Sequence, residues 1–114
     1  MGERGLLARE VNRGEIWRYR LGGPDQKRLV VVLTRQEVIP LLHTLMVAPV
    51  TSTIRGVPSE VLVGTKEGLK HESAINLDHV QTVEQARLDG YIGHLEPDKM
   101  REVCHALAVA AGCA

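Results

Sequence analysis

No apolar run in this 114-residue chain approaches the ~18 residues that a membrane-crossing helix needs, so no transmembrane span is expected. The opening Met-Gly-Glu-Arg-Gly-Leu-Leu-Ala-Arg-Glu carries acids and no long apolar stretch, and it does not read as a secretory signal. Cysteine is scarce: Cys104 and Cys113 form no Cys-x-x-Cys and no disulfide framework, and they read as a small hydrophobe and a tail residue. A cytoplasmic location is the resulting expectation. Five histidines, at 43, 71, 79, 94 and 105, include no His-x-x-x-His, no Glu-x-x-His pair on a helix and no Cys/His cluster. No metal and no cofactor is expected. The Gly-x-Ser-x-Gly elbow of serine hydrolases is missing, as are glycine-rich phosphate loops, internal repeats and low-complexity tracts.

Net charge is also lacking, being zero. That counts against a domain gripping a long duplex through phosphates alone, for which a pI above ~9 is the usual mark. The distribution is uneven, however: residues 1–35 carry +4 and residues 36–114 carry −4. A basic face on the amino-terminal half follows, sufficient for a short single-stranded ligand.

What is present is a series of short strand-like runs and one helix. A length of 114 residues with 44% hydrophobic content implies a single domain, 1–114, with residues 1–11 loosely attached. Ile16-Trp17-Arg18-Tyr19-Arg20-Leu21 alternates in period two, the pattern of a strand. Both Ile16 and Trp17 are buried only if the sheet is covered on both faces. Residues 22–27 form a turn or loop. Arg28-Leu29-Val30-Val31-Val32-Leu33 and residues 44–50 are strands by their β-branched content and short length. Between them, residues 34–38 suit one helical turn stopped by Pro40. Pro49, lacking an N–H, belongs at a sheet edge or a bulge.

Further strands are expected at 59–63, 73–77, 80–83 and 91–95, with a polar loop over 64–70 and a helical turn over 84–88. From Pro97 the apolar period changes to that of a helix, with Met100, Val103, Cys104, Leu107, Ala108 and Ala111 as its packing stripe and Gly112 as its stop. Many short strands with one terminal helix indicate a mainly β fold, a small bent sheet or partly closed barrel.

One rim of this sheet carries chemistry. If the Arg28 run pairs antiparallel with the 44–50 run, Arg28 comes close to Thr51, Ser52, Thr53 and Arg55. A guanidinium fork binds phosphate oxygens in two places, and hydroxyls donate to them. Without a metal, such a rim suits RNA cleavage by the substrate's own 2′-hydroxyl, whose transition state gathers negative charge.

Taken in order, Arg13-Gly14-Glu15-Ile16-Trp17, Arg28-Leu29-Val30-Val31-Val32-Leu33, Val47-Ala48-Pro49-Val50-Thr51-Ser52-Thr53 and Ser73-Ala74-Ile75-Asn76-Leu77-Asp78-His79-Val80-Gln81-Thr82-Val83 resemble the motifs of MazF/PemK-type toxins. Gly93-His94-Leu95 and the terminal helix resemble that family's ending, so the likeness covers about 11–111. The resemblance implies an SH3-like barrel with short helices and a C-terminal α-helix, acting as a homodimer. It implies metal-independent, sequence-selective cleavage of single-stranded RNA, chiefly mRNA, to 2′,3′-cyclic phosphate and 5′-hydroxyl ends, and neutralisation by a cognate antitoxin. By position, Arg28 and Thr51 match the catalytic pair. Asp25, Gln26 and Lys27 in the loop, with Ser52, Thr53, Arg55 and Gln81, are the implied RNA contacts.

Leu29 stands where the family usually has proline, and Gln81 where arginine is frequent. The related CcdB-type gyrase poisons are a rival reading, but they end in Trp-Gly-Ile and this chain ends Ala-Gly-Cys-Ala. A catalytically silent homologue on the same fold is the other.

Overall fold

The computed structural model describes residues 10–20 and 27–114. Among these, seven strands form one antiparallel sheet: β1 (Glu15–Arg20), β2 (Lys27–Val32), β3 (Thr44–Thr51), β4 (Glu60–Val63), β5 (Ser73–Asn76), β6 (Gln81–Glu84) and β7 (Leu88–His94). A single α-helix, α1 (Pro97–Ala110), follows. The strand order is β4-β5-β3-β2-β1-β7, with β6 also on β3.

Both faces of the sheet are covered, so Ile16 and Trp17 are both buried. Ile16, Val31, Ala48, Ile75 and Leu77 form one core with Val103 and Ala106 of α1. Trp17, Val30, Val32, Leu45, Val47 and Val83 form the second on the other side. Period two sends adjacent valines of β2 to different cores, which is why its apolar run is unbroken. Val11 is buried in the second core, although it falls within the stretch expected to be loose.

β3 is the pivot. It pairs with β2 along Val47–Val50, with β6 along Thr44–Val47 and with β5 at Val50 and Thr51. Pro49 therefore sits in a central strand rather than at an edge. Its missing N–H does no harm, because on that side Ala48 and Pro49 fall in the gap where β3 changes partner from β6 to β5.

The two ends of the sheet meet without a ladder. After β4 a 3-10 turn, Thr65–Glu67, brings Gly68 against β7. A side chain at Gly93 would lie 1.8 Å from the Glu67 carbonyl oxygen, so backbone packs directly on backbone. The result is the bent, barrel-like sheet expected from the sequence.

Three local readings need correction. The helical turn expected at 34–38 is a 3-10 helix at Gln36–Leu41 that contains Pro40, entered through a Val38 N–H bond to the Arg35 carbonyl and left through a Leu42 N–H bond to the Ile39 carbonyl. Leu77–His79 is a further 3-10 turn, so the strand expected at 73–77 ends at Asn76 and the one expected at 80–83 lies one residue later, at Gln81–Glu84. On α1, Cys104 and Ala111 are exposed, while Met100, Leu107 and Ala110 pack around Val103 and Ala106. At 100° per residue Cys104 lies about a quarter-turn off the stripe centred on Val103 and Leu107. No helix among the described residues is long and apolar enough to cross a membrane.

Candidate functional site

The β2–β3 ladder sets the geometry. Leu29 stands opposite Val50 and Val30 opposite Pro49, and the ladder ends there, with Arg28 and Thr51 the next residues along the two strands. Arg28, Val30 and Val32 share one face of β2 by alternation. On the other side of β2, Arg28 is paired with Tyr19 of β1.

Above this face lies a pocket of about 350 Å³, lined by Tyr19, Arg28, Val30, Pro49, His79 and Gln81. Val30 and Pro49, directly opposed, make an apolar floor. Arg28 is exposed at the rim and joins no ion pair among the described residues. Gln81 reaches the pocket because β6 lies along β3, opposite Val47.

His79 arrives on the Leu77–His79 turn, which is held from two sides. Leu77 N–H donates to the Ser59 carbonyl at 3.0 Å, and Ser59 Oγ donates to Asp78 Oδ2 at 2.6 Å. Asn76 Oδ1 accepts the Asp78 N–H at 2.9 Å, and Asn76 Nδ2 lies 3.1 Å from His79 Nδ1.

The residues singled out from the sequence divide into groups. Arg28 and Gln81 meet in the pocket. Thr51 lies just beyond its lining, half-exposed, with its hydroxyl oxygen accepting the Thr53 N–H at 3.1 Å. Ser52, Thr53 and Arg55 continue along the exposed strand exit, where Glu60 Oε1 accepts the N–H groups of Arg55 and Gly56, each at 3.0 Å. Lys27 does not join Arg28. One residue earlier on β2, it faces the opposite way, its Nζ 3.9 Å from Asp89. Asp25 and Gln26 lie outside the described residues.

Tyr19 and His79 were not expected here. The alternation of β1 carried a signal for Tyr19, since hairpin pairing puts it beside Arg28. For His79 no local signal existed, because its place depends on β6 lying against β3.

Behind the β1–β2 hairpin, Asp89 gathers three cations. Arg20 contacts it at 2.8 Å and 3.2 Å, Arg18 at 3.2 Å and Lys27 at 3.9 Å. The Arg20 hydrogen bonds are the largest influence on its carboxyl; burial, the next, pushes upward, and the Arg18 hydrogen bond with the charges of Lys27 and Arg20 leaves it below the usual range. Gly90 leaves room for this, since a Cβ there would come within 2.4 Å of the Arg18 guanidinium. Among the described residues no cluster of three His, Cys, Asp or Glu side chains could hold a metal ion.

In chemical terms the pocket offers a cationic fork, an amide, an imidazole and a phenol around an apolar floor. That set suits a phosphate carrying a planar base.

Residues 12–111 match the family described as PemK-like, MazF-like toxin of type II toxin–antitoxin system. "Probable endoribonuclease MazF5" of Mycobacterium tuberculosis is 42% identical over 102 residues, covering 89% of this chain and 93% of its own. "Probable endoribonuclease MazF2" of the same species is 31% identical over 104 residues, 90% and 100% of the two chains. Among solved structures, Mycobacterium tuberculosis toxin MazF-mt6 superposes with a TM-score of 0.80 at 33% identity, covering 88% of this chain and 98% of its own. A mycobacterial endoribonuclease in complex with its cognate antitoxin gives 0.81 at 24% identity over 91% and 97%, a likeness of fold.

Proposed function

The chain belongs to the PemK-like, MazF-like toxins of type II toxin–antitoxin systems, and from that premise we propose that it is an endoribonuclease that cuts single-stranded RNA at the Arg28 pocket. The observation that carries this reading is the Arg28 guanidinium, free of ion pairs among the described residues, at the mouth of a pocket one nucleotide in scale.

In the proposed reaction the substrate's 2′-oxygen attacks the adjacent phosphorus as the bond to the 5′-oxygen breaks. The 2′-hydroxyl loses its proton, and the leaving oxygen gains one. The products are a 2′,3′-cyclic phosphate and a 5′-hydroxyl. Because the nucleophile belongs to the substrate, no activated water is required, and the reaction proceeds without a metal. Arg28 stabilises the charge that builds on the phosphorane oxygens and serves the leaving group. Thr51, the residue that follows the end of the β2–β3 ladder on β3, positions the phosphate. Ser52, Thr53, Arg55 and Gln81 contact flanking nucleotides.

The protein acts on mRNA in the cytoplasm as a homodimer, and a cognate antitoxin covers the groove. The 42%-identical relative named a probable endoribonuclease supports the nuclease part of this reading.

The test is incubation of pure protein with long single-stranded RNA in excess chelator, followed by mapping of the cut ends. Cleavage leaving cyclic phosphate and 5′-hydroxyl termini is the expected result. Intact RNA, or 5′-phosphate ends, would refute it.

A further inference from the structure

We propose that His79 contacts the RNA as a neutral donor through Nε2–H, with Asn76 as the positioning residue that fixes its tautomer. The proposal deepens the nuclease reading of the Arg28 pocket and rests on it.

Asn76 is buried, and the turn backbone dictates which way its amide faces. Its Oδ1 accepts the Asp78 N–H at 2.9 Å, which turns Nδ2 toward His79 Nδ1 at 3.1 Å. An amide nitrogen has only protons to give, so it donates and Nδ1 accepts. The proton of the neutral ring is then on Nε2. Ser59 ties the turn down at its first two residues, Leu77 and Asp78.

Nε2 has no hydrogen-bond partner among the described residues. With the Nδ1 edge engaged by Asn76, the Nε2 edge is left for the pocket that His79 shares with Arg28 and Gln81. Two unlike donors therefore flank one apolar floor: a charged guanidinium and an uncharged imidazole N–H. A phosphodiester has two non-bridging oxygens, each an acceptor, and this pair of donors suits them. The geometry also assigns His79 away from the role of general base. An Nε2 that already bears a proton cannot take another from the 2′-hydroxyl while Nδ1 is held as an acceptor.

The experiment uses the full-length, 15N-labelled chain. Two-bond proton–nitrogen spectra of its imidazoles are expected to show His79 protonated on Nε2 and bare on Nδ1. Adding mixed-sequence single-stranded RNA with 2′-fluoro groups throughout, which cannot cyclise, shifts the Nε2 signal. H79L slows cleavage of ordinary RNA by about 10- to 100-fold, the range for a hydrogen bond to a charged group. H79Q, which retains an N–H donor, recovers part of the rate. N76D replaces a donor by an acceptor, moves the proton to Nδ1 and slows cleavage while His79 is still present. Should N76D fail to fold, the wild-type spectra and the H79L and H79Q rates decide alone.

A wild-type Nδ1–H tautomer, an Nε2 signal unmoved by RNA, or H79L cutting as fast as wild type would each overturn the proposal. A wild-type chain that cuts no RNA yet shifts the Nε2 signal would remove the nuclease reading and leave the contact standing.

Discussion

Tyr19 stands directly across the β1–β2 ladder from Arg28, and both side chains line the same pocket. Arg28 is thus presented by a strand flanked on both sides, by β1 and β3, rather than by a loose loop. Its removal should affect chemistry and leave folding intact, because it is exposed and joins no ion pair among the described residues. Arg28→Ala is expected to slow single-turnover RNA cleavage by about 10²- to 10³-fold, as loss of one preorganised donor does. Its unfolding free energy should stay within about 0.5 kcal/mol of wild type. Arg28→Lys should restore only part of the rate, since an ammonium cannot supply the fork. Cleavage kinetics paired with urea melts check both halves.

Glu15 performs the reverse service, structural and remote from the pocket. Its buried carboxylate accepts the Trp17 Nε1–H at 2.9 Å, the Asn12 N–H at 2.8 Å and the Asn12 amide at 3.1 Å. Glu15→Ala leaves those donors without this acceptor in a place water reaches poorly. A loss of about 1–3 kcal/mol is expected, together with a red-shifted Trp17 emission. Urea denaturation followed by fluorescence reads both from one titration.

These two residues also mark what a sequence reader could and could not see. The pairing of the Arg28 run with the 44–50 run was legible because both are short, β-branched and close in sequence, and the ladder indeed runs antiparallel. Alternation alone would also have separated Lys27 from Arg28, a consequence that counting charge by segment conceals. The tolerance of Pro49 in mid-sheet was not legible: it depends on β5 and β6, distant in sequence, sharing one side of β3. For the same reason nothing beside His79 in the sequence pointed to the pocket. The helical period is plain from Pro97 onward, but it does not settle the width of the packing stripe, since Cys104 and Ala111 are apolar enough to suit either face.

Asp89 supplies a dependence on pH. Its carboxyl is held below the ordinary range by Arg20 and Arg18 hydrogen bonds and by nearby positive charge. A depressed folded-state pKa means the folded protein binds the proton less readily than the unfolded chain. The stabilisation is therefore complete above the unfolded pKa, near 3.8, and fades as pH falls toward and through the lower folded value. Asp89→Asn should cost about 1 kcal/mol at pH 7, the upper end for exposed pairs. The gap between variant and wild type should narrow below pH 4, in about the carboxylate range. Urea midpoints at pH 7 and pH 3 test this, and a gap that widens on acidification would reverse the sign.

Gly93 carries the seam where the two ends of the sheet meet. A methyl group there would stand 1.8 Å from the Glu67 carbonyl oxygen and 3.2 Å from Gly68 Cα, both backbone atoms that no rotamer change can move. Gly68 in turn has φ of +101°, so it cannot readily adjust to a new neighbour, and its own Cβ would meet the Ile92 carbonyl at 2.7 Å. Gly93→Ala must push the 64–69 turn off β7, and Leu69, buried in the helix-side core, moves with it. The expected cost is about 3 kcal/mol or more, at the upper end for overpacking. Gly112→Ala, where a Cβ would meet nothing within 4 Å, is the control: only the positive φ of +76° is strained, and about 1 kcal/mol is expected. Thermal melts of the two variants side by side separate a steric seam from a conformational preference, and equal losses would show that the barrel ends do not depend on close contact at Gly93.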